Sequence, residues 1–198
     1  MNRESSRRVP RLSLLALVVL TACSGASQGP PANTENACLM KQDRPQWFQA
    51  MAKTEARWGA PVHVQMATFY QESTFRPKAK PPRKYFLWII PAGRVSSAYG
   101  YAQAIDGTWD WYRADTGNRR AKRDRFPDAS DFMGWYMARS TANVGIAPQD
   151  AYRQYLAYHE GHAGYKRGSY SSKAWLQNTA ARVQARASKY EQQLRSCP

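Results

Sequence analysis

The stretch Pro61-Val62-His63-Val64-Gln65-Met66-Ala67-Thr68-Phe69-Tyr70-Gln71-Glu72-Ser73 decides the fold class of this chain. Val62, Met66, Phe69 and Tyr70 recur at i, i+4, i+7 and i+8, the spacing of one buried helical stripe. Pro61 stands where a first helical turn tolerates proline, and the pattern stops near Gln71-Glu72-Ser73, before Pro77. Upstream, residues 44–58 carry Trp47, Met51, Ala52, Glu55 and Trp58 at helical spacing, and Gly59 ends them. Downstream, Pro81, Pro82 and Pro91 bracket the run Tyr85-Phe86-Leu87-Trp88-Ile89-Ile90, which predicts a short strand or hairpin. Helical patterns resume over 106–113, 128–137, 148–159 and 172–194, with Gly117 and the basic stretch 119–125 as a connecting loop. The expected class is mainly α with a small β component: a helical bundle around a cleft, with a hairpin inserted after the Glu72 helix.

Three short motifs carry chemistry. Glu72 closes an apolar helix, where the negative end of the helix dipole and neighbouring aromatics disfavour a charged carboxylate. A raised pKa is what a general acid working near neutrality requires. The second motif is Ala98-Tyr99-Gly100-Tyr101-Ala102-Gln103, followed by Asp106-Gly107-Thr108-Trp109. Gly100 permits a positive φ or a close approach of a ligand to the chain, and Gln103 offers an amide donor and acceptor. The third is Ala157-Tyr158-His159-Glu160-Gly161, in which Tyr158 supplies a hydroxyl. Each alone has a plain reading: a solvated glutamate, a tight turn, and a core tyrosine spaced helically with Tyr152 and Tyr155.

Taken together and in order, the three motifs resemble the signature of soluble lytic transglycosylases with a goose-lysozyme-like catalytic domain. That signature reads E-S, then G-A-x-G-L-M-Q-x-x-P-x-T, then A-Y-N-x-G. Glu72-Ser73 matches the first part; Ala98, Gly100 and Gln103 match the second, with Thr108 in register; Ala157, Tyr158 and Gly161 match the third. Tyr101-Ala102 stands in place of Leu-Met, Asp106 in place of Pro, and His159 in place of Asn, the pattern of a divergent branch. The resemblance covers residues 61–164 and implies a lysozyme-like α+β fold acting on peptidoglycan glycan strands. It further implies cleavage of the MurNAc-β-1,4-GlcNAc bond with formation of 1,6-anhydroMurNAc, Glu72 serving first as acid and then as base. Ser73, Gly100, Tyr101, Gln103 and Tyr158 are the implied substrate-binding residues, and no cofactor or metal is needed. Tyr99, Tyr101, Trp109 and Trp88 are candidate stacking surfaces.

Two other functions compete. A hydrolytic muramidase would need a second carboxylate, for which Asp106 and Glu160 are candidates. A non-catalytic peptidoglycan-binding scaffold lipoprotein could keep the fold without turnover. Zinc hydrolysis fits poorly, because His159-Glu160-Gly161-His162 places its histidines three apart rather than four.

The N-terminus reads as an address. Arg3, Arg7, Arg8 and Arg11 precede the apolar run 12–20, which at about nine residues is well short of the roughly 20 that span a bilayer. Leu20-Thr21-Ala22-Cys23 resembles a bacterial lipobox, so residues 1–22 are expected to form a lipoprotein signal peptide. Cys23 then carries the lipid, 23–37 form a flexible tether, and 38–198 form the transglycosylase domain. Ser24 in place of Asp points to the periplasmic side of the outer membrane. The remaining cysteines, Cys38 and Cys197, lie at the two ends of the domain, and an oxidising compartment suggests a disulfide between them. The net charge of +15 calls for an anionic partner. An exported protein does not meet nucleic acid; stem-peptide carboxylates and membrane phosphates would both serve, and a cell-wall or secretion-machine partner is compatible.

Overall fold

A computed structural model describes residues 29–86 and 90–197. The expected signal peptide (1–22), the lipidation site Cys23 and the candidate stacking residue Trp88 lie outside these residues. Seven helices and one hairpin make up the described chain: α1 (Ala37–Asp43), α2 (Pro45–Trp58), α3 (Val62–Ser73), β1 (Arg83–Phe86), β2 (Ile90–Arg94), α4 (Asp106–Thr116), α5 (Phe126–Val144), α6 (Ala151–Lys166) and α7 (Ala174–Ser196). The mainly helical, lysozyme-like class is therefore as expected. None of the described helices is long and apolar enough to cross a membrane.

Helix α2 lies along α5, α3 along α7, and α6 packs on both α5 and α7. Helix α3 differs from its sequence reading in an instructive way. Its stripe was expected on Val62, Met66, Phe69 and Tyr70, yet Val64, Gln65, Met66, Ala67, Thr68, Phe69 and Ser73 are all buried, while Val62 and Tyr70 are only partly so. Being packed by α2, α5, α6 and α7, this helix has almost no solvent face, and small or hydrogen-bonded residues occupy what an amphipathic pattern would leave polar. Gln65, fully buried, donates to the Met51 and Ala60 carbonyls at 3.1 and 2.8 Å and accepts from Ser130 at 2.8 Å. Thr54 completes the network at 2.9 Å from Ser130. A buried amide with its bonds made fixes one register among three helices, because any slip would strand it. Gly134 sets the spacing of α5 on α2: a Cβ there would sit 2.2 Å from the Thr54 methyl.

The aromatic content fills two adjoining clusters. Trp47 stacks on Phe126 at 4.0 Å with an interplanar angle of 6°, and Phe69, Phe75 and Tyr101 surround the pair. Phe132 is ringed by Trp109, Tyr112, Trp135, Tyr136 and Tyr158. The expected hairpin forms but is wider than the run 85–90: its antiparallel strands pair Arg83 with Arg94 and Phe86 with Ile90, and Pro91, expected as a flank, sits inside β2 opposite Tyr85.

The expected disulfide is present, joining Cys38 to Cys197 across 159 residues with the Cα atoms 5.3 Å apart. The expected tether over 23–37 does not extend that far. Pro31 is buried, the Thr34 carbonyl accepts from the Tyr190 hydroxyl, and Glu35 pairs with Arg186 and Lys189 at 2.9 Å. Residues 31–36 are thus an arm laid on α7, and α1, which the sequence reading did not separate, follows with Asn36 as its N-cap. The short polar composition that suggested a linker is used here for capping and ion pairing.

Candidate active site

Glu72 sits in the last turn of α3, and the chain reverses immediately beyond it. Thr74 and Phe75 both adopt left-handed backbone conformations, φ 49° and 57°. These are costly for residues with side chains and persist only where packing enforces them. The enforcement is visible: the Phe75 ring is fully buried, packed on Trp47 and Phe69. Gln103, with φ 49°, is the third such residue among those described, so all three lie in or directly after the Glu72 and Gln103 motifs.

The loop 99–104 is the hub on which the three motifs meet. Ser73 Oγ donates to the Tyr101 carbonyl at 2.7 Å, and the Tyr158 hydroxyl donates to the next carbonyl, that of Ala102. Gln103 Nε2 donates to the Ala79 and Gly100 carbonyls, each at 2.9 Å. Gly100 has φ 81°, and a Cβ on it would lie 2.2 Å from the Arg123 carbonyl oxygen. Tyr101 N–H donates to that same oxygen at 3.2 Å, and the Arg123 guanidinium bonds the Ser97 and Ala104 carbonyls and pairs with Asp106 at 2.8 Å. The basic stretch 119–125 is therefore a clamp on the motif loop rather than a mere connection.

Several expected contacts change role. Ser73 is 2% exposed and its hydroxyl is committed to backbone, so it fixes the loop and does not reach a sugar. Tyr101 is 1% exposed, with its ring edge-on to Trp47 and Phe126; it is core, not a binding surface. Gly100 is buried against Arg123, so the close approach it permits is to the chain itself. Trp109 is buried on Phe132, and Tyr99 lies beside Asp124, Arg123 and Lys80 outside the Glu72 cleft. For Ser73, Gly100 and Tyr101 the short loop needs an internal anchor more than an external contact. Gln103 and Tyr158 do line the cleft. With both amide hydrogens of Gln103 spent on carbonyls, what it offers a ligand is an acceptor oxygen.

The cleft encloses about 570 Å³ and is lined by Glu72, Gln103, Thr108, Tyr136, Tyr158 and Glu160 among others. Pro81 and Ser96, at the two feet of the hairpin, form part of its rim. Desolvation pushes the Glu72 carboxyl up to about 7, against which the Tyr155 hydroxyl, donating to it, pulls only partly. In the sequence Tyr155 is no more than a tyrosine at helical spacing from Tyr158, which gives no hint that it meets the acid. Glu160 is held in the opposite state. Lys173 Nζ reaches both its oxygens at 2.8 Å, and Ser169 and His159 bond it as well, holding its carboxyl down at about 2. Just after it α6 kinks at Gly161, φ 70° and ψ 158°. His159 and His162 turn to different partners, His162 lying against Tyr136 and bonding Ser140 at 3.0 Å. Asp106 is paired with Arg123 and does not line the cleft.

A partly buried carboxyl protonated near neutrality, facing a groove and backed by a loop pinned from two helices, is equipped to donate a proton to a bound ether oxygen. A match to the transglycosylase SLT domain spans residues 11–197. The chain belongs to that family. No curated protein sequence matches it. Family membership gives lytic transglycosylase activity on peptidoglycan as the coarse function, that of an enzyme that cleaves glycosyl bonds. The departures at Tyr101, Asp106 and His159 now have local explanations: a core ring, an ion pair to Arg123, and a hydrogen bond to Glu160.

Proposed function

We propose that the protein cleaves the MurNAc-β-1,4-GlcNAc bond of peptidoglycan without water, Glu72 acting first as acid and then as base. Protonated Glu72 gives its proton to the glycosidic oxygen as the bond to MurNAc C1 breaks, and the MurNAc acetamido group stabilises the cation that develops there. The resulting carboxylate removes the proton of the MurNAc C6 hydroxyl, whose oxygen bonds to C1 and closes the 1,6-anhydro ring. The proton returns to Glu72, so one carboxyl completes the cycle. Gln103 and Tyr158 hold the glycan in the cleft, Gln103 through its amide oxygen. The observation that carries this reading is the Glu72 carboxyl raised to about 7 on the cleft wall. From its lipobox, the chain works at the periplasmic face of the outer membrane, anchored through Cys23.

One observation favours hydrolysis as a second reading: Glu160 is an ionised carboxylate in the same cleft. Its two oxygens are already held by Lys173, Ser169 and His159, which leaves it a poor base for water. Digestion of purified sacculi with mass analysis of the muropeptides separates the cases. Ends lighter by one water than reducing ends support the anhydro reaction, reducing ends establish hydrolysis, and binding without products makes the protein a scaffold.

A further inference from the structure

Trp175 has no packing reason to be tryptophan. The inward positions of α7 are Leu176, Thr179, Ala180, Val183, Ala187 and Tyr190, and Trp175, one residue off that face, is 57% exposed. Its place is nevertheless fixed. Its ring meets His159 edge-on with centroids 5.1 Å apart. Two residues earlier, Lys173 is tied by its ammonium to Glu160. His159 and Glu160 line the Glu72 cleft, so the exposed indole begins where that wall ends. Lys173, two residues away, is already matched by Glu160, so the surface the indole offers is a neutral aromatic face beside a polar groove. Such a face suits the C–H side of a pyranose ring, which is apolar while its edges carry hydroxyl and acetamido groups.

We propose that Trp175 is a saccharide platform that extends the cleft past His159, stacking an N-acetylhexosamine ring of the glycan strand outside the reacting pair. The proposal rests on the reading of the cleft as a glycan site. Its consequence is length dependence: a strand too short to reach past His159 gains nothing from Trp175.

The test is calorimetric titration of the full chain carrying Glu72→Gln with chitotriose and with chitohexaose, with and without Trp175→Ala. Chitohexaose binding is expected to weaken about threefold to tenfold in Trp175→Ala, the worth of one aromatic stack. Chitotriose binding stays unchanged, and Trp175→Phe recovers part of the loss. Equal chitohexaose affinity with and without the indole overturns the platform while leaving the glycan reading intact, as does an equal loss for both lengths. If the parent binds neither oligosaccharide, the glycan reading and the platform fall together. Unchanged melting temperatures for both variants exclude a folding defect as the source of any loss.

Discussion

Glu72 and Glu160 are the same residue type on the walls of one cleft, and they are held in opposite states. Glu72 ends a helix buried nearly all round, with one tyrosine hydroxyl for company, and desolvation keeps it protonated up to about pH 7. Glu160 precedes a kink and collects an ammonium, a serine hydroxyl and an imidazole, which keep it ionised down to about 2. Pairs of titratable groups pushed apart by their surroundings mark an acid site, and here only the first has a proton to give and no ion pair to break before giving it. The contrast teaches that reactivity in this cleft follows from what is withheld. Where every lone pair is satisfied, the carboxylate holds the wall together; where partners are scarce, it can do chemistry.

The largest effect expected is on turnover. Glu72→Gln removes the proposed proton donor but preserves shape, so sacculus digestion should fall by about 10³-fold or more, while circular dichroism and melting stay native. Residual activity near wild type would break the comparison at its first member.

Stability against pH sharpens it. Because the folded chain raises Glu72 above its ordinary 4.5, its contribution is fully favourable below that value. The contribution is lost as pH rises through about 7, by up to about 3 kcal/mol. Denaturant midpoints of wild type should therefore fall relative to Glu72→Gln between pH 4.5 and about 7 and level off above that. Glu160 has the reverse sign: its contribution is present above 4.5 and fades as pH drops toward 2. Under the proposed mechanism the rate needs protonated Glu72 and should decline on the alkaline side of about 7.

Next comes the other carboxylate. Glu160→Gln leaves Lys173 without its partner and loosens the corner at Gly161. It should cost about 2 kcal/mol at neutral pH, less than a fully buried pair because Lys173 is 37% exposed. Turnover measured at low temperature should drop less than about tenfold; a loss as deep as that of Glu72→Gln would make Glu160 the base of a hydrolytic reaction. The smallest effect is expected from Tyr155→Phe. Deleting the hydroxyl that favours ionised Glu72 should move the alkaline limb of the rate profile upward by up to about one pH unit. A downward shift would mean that Tyr155 does not donate to the acid.

Much of the architecture was legible because it rests on local rules. Gly59 and Gly117, both left-handed helix ends, and Pro81 and Pro82 before the hairpin punctuate the chain where the sequence says they should, whereas Pro91 lies inside β2 opposite Tyr85. The cysteines at the two ends of the domain found each other as expected. The N-terminal arm was misread because Pro31, Thr34 and Glu35 resemble a linker until α7 lies beside them with Arg186, Lys189 and Tyr190. The clamp formed by Arg123 was hidden for the same reason.

By itself, the sequence determined the element order, the helical class and the family, and it singled out Glu72 as the candidate acid, since periodicity, punctuation and motif order are properties of neighbours along the chain. Only the tertiary structure decided that Ser73, Gly100 and Tyr101 serve the loop rather than the sugar, that Tyr155 meets Glu72, and that Glu160 is silenced by Lys173. Burial and charge pairing depend on groups far apart in sequence, and the state of a carboxyl is set by the space around it.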